Sequence, residues 1–194
     1  MLTKITLREI KNSLGRYLAI LIIVALGTGL FAGLKVTRDA MVDTLDEYLA
    51  ERNLYDFQLI STLGYEAADV EHILSLDNVS AAEGSISYDV LCEAGEMDQV
   101  LKAYSITESV NKVKLLEGRM PEASDECVAD GRIYSTEDIG STIELSDDNS
   151  KDTLDVFAHR KYTITGLIYS PVYLNYERGS TTLGNGIIEA YFYI

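Results

Sequence analysis

The pattern of apolar and polar positions opens with a run unlike anything that follows it. Tyr17 to Leu34 (YLAILIIVALGTGLFAGL) is eighteen residues without a charge. At ~1.5 Å rise per residue that is about 27 Å of helix, close to the ~30 Å hydrocarbon core of a bilayer. A cleaved secretory signal is the rival, but its apolar region usually spans roughly 7–15 residues and ends at small ones. Here small residues occur at Gly27–Thr28–Gly29, yet the run stays apolar through Leu30, Phe31 and Leu34. The pattern predicts a permanent transmembrane helix over 17–36. From Lys35 to Tyr55 there is no glycine or proline, and Met41, Leu45, Tyr48, Leu49 and Arg52 recur at steps of three and four. Asp39, Asp43, Asp46, Glu47 and Glu51 take up much of the remaining surface, an amphipathic helical pattern. A single helix from Tyr17 to Arg52 would be about 54 Å long, roughly 20 Å more than the bilayer core, so 37–54 is predicted to project as a stalk.

After residue 54 the period shortens. Tyr55, Phe57 and Leu59 alternate with Asp56 and Gln58, which predicts a half-buried strand over Tyr55–Ser61. Gly64 breaks the chain, and Ala67, Val70, Ile73 and Leu74 then share one helical face within Glu66–Leu76. Ile86, Tyr88 and Val90 alternate in a second strand, and Gln99–Ile106 is a third. Thr142–Leu145 and Tyr162–Ile168 (YTITGLI) are strand-like, separated by the polar run Ser146–Asp152 (SDDNSKD), predicted to be a solvated turn. Gly179–Gly186 (GSTTLGNG) is predicted to be a flexible loop, and Ile187–Ile194 (IIEAYFYI) a buried strand. Ending in such a strand, without a polar tail, points to a fragment of a longer polypeptide. The fold class expected is α+β: a basic, amphipathic, cytoplasmic segment at 1–16, the membrane helix, the stalk, an α/β part at 55–106 and a β-rich part at 107–194.

Charge sharpens the division. Of a net −15, residues 1–38 hold six cations against the single acid Glu9, so the remainder carries −20. Cations at one end of a membrane segment favour keeping that end in the cytoplasm, which places the acidic part outside. A domain that acidic repels nucleic acid and anionic headgroups, excluding both as its partners.

Candidate chemistry is sparse. SDDNSKD superficially resembles a calcium loop, but Asp152 stands where the motif needs glycine and Lys151 occupies its fifth position. No Gly-Lys-Ser/Thr phosphate-binding loop occurs, and no nucleophile–base pair, metal cluster or carboxylate dyad suggests an enzyme or a cofactor. His72 and His159 are isolated. Cys92 and Cys127 have two readings, a disulfide outside the cell or a pair of unbonded buried thiols. Within the membrane run, Ala25, Gly29 and Gly33 at intervals of four form a small-residue face against which another transmembrane helix, or a second copy, could pack.

The order of several features resembles a family. A basic LREIKNSLGRY leads into the apolar run and a long helix, followed by Leu115–Pro121 (LLEGRMP), Asp125–Val128 (DECV), Ile139–Gly140 before Thr142–Leu145, and YTITGLI. In this order the chain resembles the start of an FtsX-like (MacB-type) permease subunit of an ABC transporter, most nearly the large permeases of anaerobic Gram-positive bacteria. The resemblance implies a stalk carrying an extracytoplasmic domain with a porter-like α/β part and a β-rich part. It further implies later membrane helices, a separate cytoplasmic ATPase as partner, and location in the plasma membrane. Gly118, Arg119, Pro121 and Gly140 match its motif, and their roles are read as structural: turns at the glycines, a fixed bend at Pro121, an ion pair at Arg119. The alternative is a single-pass anchored sensor or ligand-binding protein.

Overall fold

The computed structural model describes residues 13–95 and 97–194. Most of the basic segment expected at 1–16 therefore lies outside the described residues. The fold is α+β, one long apolar N-terminal helix followed by a seven-stranded mixed sheet with short helices. The chain divides into two units at Tyr48/Leu49.

In the first unit, α1 (Leu14–Glu51) runs 38 residues without interruption. Its length and apolar composition are those of a helix able to cross a membrane. Within the apolar run the Thr28 hydroxyl bonds to its own helix, Oγ1 donating to Val24 O at 2.8 Å. Leu21, Ile23, Leu26 and Phe31 are all exposed, and ideal side chains built at Gly29 and Gly33 would meet only open space.

The end of α1 lies in the second unit and is closed by asparagine. Asn53 adopts φ 50°, with its N–H donating to Ala50 O at 3.1 Å and that of Leu54 to Leu49 O at 3.1 Å. This is a Schellman cap, in which the left-handed position is usually glycine. The next segment departs from the alternating pattern: Tyr55–Ser61 is not a strand, and Phe57, Leu59 and Ile60 are exposed. Alternation makes a strand only where a neighbour supplies the ladder, and no described strand pairs with this one. Helix α2 (Ala67–Leu74) forms where its pattern predicts, started by Glu66 N–H donating to Asp69 Oδ2 at 2.8 Å.

The strands are β1 (Ser87–Ala94), β2 (Met97–Tyr104), β3 (Lys114–Gly118), β4 (Glu126–Asp130), β5 (Thr142–Glu144), β6 (Lys161–Tyr169) and β7 (Ala190–Tyr193). They form one sheet in the order β1-β2-β7-β4-β6-β3, with β5 also on β6. Strands from before and after residue 106 share it. β1–β2 and β4–β7 are antiparallel, while β2–β7 and β4–β6 are parallel. The sheet curls until β1 meets the chain after β5: Cys92 bridges Leu145, and Ser146 N–H donates to Leu91 O at 2.9 Å. Asn149 completes the seam, its Oδ1 accepting from Leu91 N–H (2.8 Å) and its Nδ2 donating to Leu91 O (2.7 Å).

This seam corrects the expectation of a solvated turn at Ser146–Asp152. Asp147, Asp148 and Ser150 are exposed, but Ser146 and Asn149 are buried. Short helix α3 (Lys151–Leu154) follows, capped by Ser150 Oγ accepting from Thr153 N–H and sealed by buried Leu154. Gly179–Gly186 is likewise not an open loop. Thr181 N–H donates to Gly186 O and Gly186 N–H to Leu183 O, closing a turn beneath the Ser180–Ile187 bridge.

Period-two alternation assigns the core. From β4, Cys127 and Ala129 face one cluster and Val128 the other; from β7, Ala190 and Phe192 face the first, and Tyr191 and Tyr193 the second. The first cluster, with Val90, Leu101, Ile143, Leu145, Tyr162 and Ile164, fills the curled interior. Each large apolar side chain so buried contributes about 1.5–3 kcal/mol. The second covers the opposite face with Tyr104, Met120 and Tyr173. All four residues of β7 are buried, as a strand clothed on both faces must be.

Candidate functional site

The motif residues converge on β6. Cys127 pairs with Ile164 and Val128 with Gly166, so Thr165 is an extra residue, a bulge. It shifts the alternation: Tyr162 and Ile164 face the interior before it, Leu167 after it. Gly118 lies directly opposite Gly166. A Cβ on Gly118 would stand 2.3 Å from Thr165 O, and one on Gly166 2.6 Å from Arg119 O. Gly118 also has φ 77°, so close approach and backbone sign both demand glycine there. Arg119 N–H donates to Thr165 O at 3.0 Å, and Thr165 Oγ1 lies 3.1 Å from Arg119 O and 3.2 Å from Cys127 O.

Arg119 then forms a forked pair with Glu126. Nη1 donates to Glu126 Oε2 at 2.7 Å, and Nη2 donates to Oε1. The same carboxylate accepts from Glu122 N–H (2.8 Å) and Ala123 N–H (3.2 Å), so the loop through Pro121 wraps around it. The hydrogen bond from Arg119, joined by that from Glu122, holds the Glu126 carboxyl down at about 2. Gly140, just before β5 on the same edge of β6 as β3, has φ 97°, and its N–H donates to Ile164 O at 2.8 Å. Gly118 and Arg119 at the end of β3 and Gly140 before β5 thus meet the middle of β6 along one edge.

A second constellation carries no motif signal. Asp130, at the end of β4, and Arg178, in the loop before β7, form an ion pair whose side chains are 0% and 1% exposed, with Nε donating to Oδ2 at 2.5 Å. Asp130 Oδ1 accepts from Arg132 N–H at 3.0 Å, and Arg178 Nη1 donates to Asn175 O. The guanidinium lies 5.5 and 5.2 Å from the ring centroids of Tyr173 and Tyr191, which stack on each other at 4.8 Å. Nη2 is buried without a hydrogen-bond partner among the described residues. The pair pins the loop over the tyrosine face of the sheet. The only sequence signal for it was a lone arginine in a polar loop; the two residues stand 48 positions apart.

Cys92 on β1 and Cys127 on β4 are free, buried thiols that face the same interior cluster. No bond joins them in this structure, and desolvation pushes both thiols up to about 12. His159 Nε2 lies 2.8 Å from Ser124 Oγ, while His72 is exposed on α2. Among the described residues no three potential metal ligands cluster.

No family model matches this chain, and no curated protein matches it. Among solved structures it is similar to the extracellular domain of the noncanonic ABC-type transporter YknZ from Gram-positive bacteria, with 12% identity and a TM-score of 0.41. The match covers 69% of this chain and 63% of that one. So loose a likeness assigns no function by itself.

Proposed function

We propose that this chain is the N-terminal part of the non-ATPase permease subunit of an ABC transporter of the FtsX-like, MacB type. Its α1 spans the plasma membrane with the N-terminus cytoplasmic, and the acidic domain stands outside as a porter-like part and a β-rich part. Stalk and domain couple ATP hydrolysis by a separate cytoplasmic ATPase to work outside the membrane or to export. Ala25, Gly29 and Gly33 pack against further transmembrane helices or a second permease copy. The chain is not itself an enzyme and takes no cofactor. The observation that carries this reading is the uninterrupted α1, an apolar half of bilayer length continued by a charged half into the folded domain.

Topology and partnership test it. Lys4→Cys and Asp148→Cys are labelled with a membrane-impermeant maleimide in intact cells. The Asp148 site reacts and the Lys4 site reacts only after permeabilisation if the orientation is right; the reverse pattern overturns it. Purification of the tagged native protein from its own membranes brings an ATPase with it. An outward domain without any ATPase leaves the single-pass sensor or binding protein standing instead.

A further inference from the structure

The left-handed cap of α1 is half of a larger device. Asn53 and Asn111 both adopt positive φ, 50° and 53°, an uncommon conformation for a residue other than glycine. They are bonded to each other's segments. Asn111 N–H donates to Asn53 O at 2.9 Å, and Lys112 N–H to Arg52 O at 2.8 Å. Asn53 Nδ2 donates to Ser109 O, and Asn111 Oδ1 accepts from Tyr55 N–H at 3.0 Å. Glycine would suffice for the cap. Asparagine tolerates the same φ and adds a side-chain amide that reaches the facing segment.

A third group holds the same loop from another side. The Glu83 carboxylate accepts from the N–H groups of Glu108 (2.8 Å), Ser109 (2.9 Å) and Val110 (3.0 Å), and from Ser109 Oγ (2.8 Å). The loop is also tied into the sheet at its ends. β2 runs into it and β3 out of it, and Ile106 N–H donates to Ile194 O beside β7. It cannot yield locally without breaking bonds to the sheet, to Glu83 or to the helix end.

We propose that Asn53 and Asn111 are positioning residues of a rigid clamp that makes the last turn of α1 and the β2–β3 loop move as one body. Motion arriving along α1 would then turn the sheet instead of bending the junction. The purpose of the clamp rests on the permease reading above; its rigidity does not.

The test uses the full chain in nanodiscs, spin-labelled at Ala50→Cys and Arg160→Cys, with Asn53→Gly and Asn111→Gly singly and together. Glycine keeps the left-handed backbone and removes only the side-chain bonds, so the variants retain a conformation the fold can use. The parent gives one narrow distance distribution, and the double variant widens it at least twofold; an unchanged width overturns the clamp. Hydrogen exchange at the Asn111 and Lys112 amides of the unsubstituted chain is at least 100-fold slower than in a free peptide; exchange at the free-peptide rate overturns it equally. With the ATPase bound, the double variant hydrolyses ATP at the parent rate but loses at least 10-fold in coupled work; full coupling with both bonds removed refutes the positioning role. If the parent binds no ATPase, the permease reading falls, while the distance and exchange measurements still judge the clamp.

Discussion

At the residue scale, contacts decide what each position tolerates. Gly118→Ala puts a methyl against Thr165 O in a backbone region hostile to side chains, with expected destabilisation of about 3 kcal/mol in a denaturation series. Arg178→Met strands a buried carboxylate and should cost about 3–5 kcal/mol. Adding Asp130→Asn, which removes that charge but keeps an acceptor for Arg132 N–H, should recover at least half; a double variant no better than the single one contradicts the account. Glu126 carries a pH signature. Its folded value, held at about 2 by Arg119, lies below the ordinary 4.5. A depressed folded pKa contributes stability that is complete above the ordinary value and fades as pH falls toward the folded one. Stability should therefore decline between about pH 4.5 and 2, and Glu126→Gln should flatten that slope. Glu83 adds to the same decline: burial pulls it upward, but its bonds to Glu108, Ser109 and Val110 outweigh that and lower it.

At the element scale, a strand exists only with its neighbour. The alternation at Ser87–Ala94 and Lys161–Tyr169 finds partners and becomes β1 and β6. The equally regular alternation at Tyr55–Leu59 finds none and stays irregular. Asn149 shows the converse, a polar residue in a run of turn formers that stitches the edge of β1. Asn149→Ala removes two bonds to Leu91 and one to Ser146 O. Expected destabilisation is about 2 kcal/mol by thermal melting, with faster amide exchange at Leu91 as the local sign. Unchanged exchange there would mean the seam is held by backbone alone.

At the scale of the whole molecule, the interior is dry enough to silence its thiols. Cys92 and Cys127 sit inside the curled sheet with pKa values pushed to about 12, so at pH 7 they are protonated and shielded. A small maleimide should leave both unmodified in the native chain and label both after denaturation. Rapid native labelling would show that the sheet opens.

What the sequence determined by itself is whatever depends on near neighbours along the chain. The apolar run and the amphipathic steps after it made one helix, because helical bonds join residues four apart. A turn at Gly118 and an ion pair at Arg119 were readable from the local motif, but which acid completes the pair, Glu126, came from the structure. The buried strand was legible only in its second half, because a strand covered on both faces has no polar side: Ala190–Tyr193 is buried throughout, while Ile187 and Glu189, expected within it, are exposed. Tertiary structure alone decided the rest. Asp130 meets Arg178, Asn149 meets Leu91 and Asn53 meets Asn111 across separations of 48, 58 and 58 residues. Asp130, Arg178 and Asn149 look like surface residues until the fold buries them, and only then do their partners become obligatory, whereas Asn53 stays exposed and meets its partner through the path of the backbone.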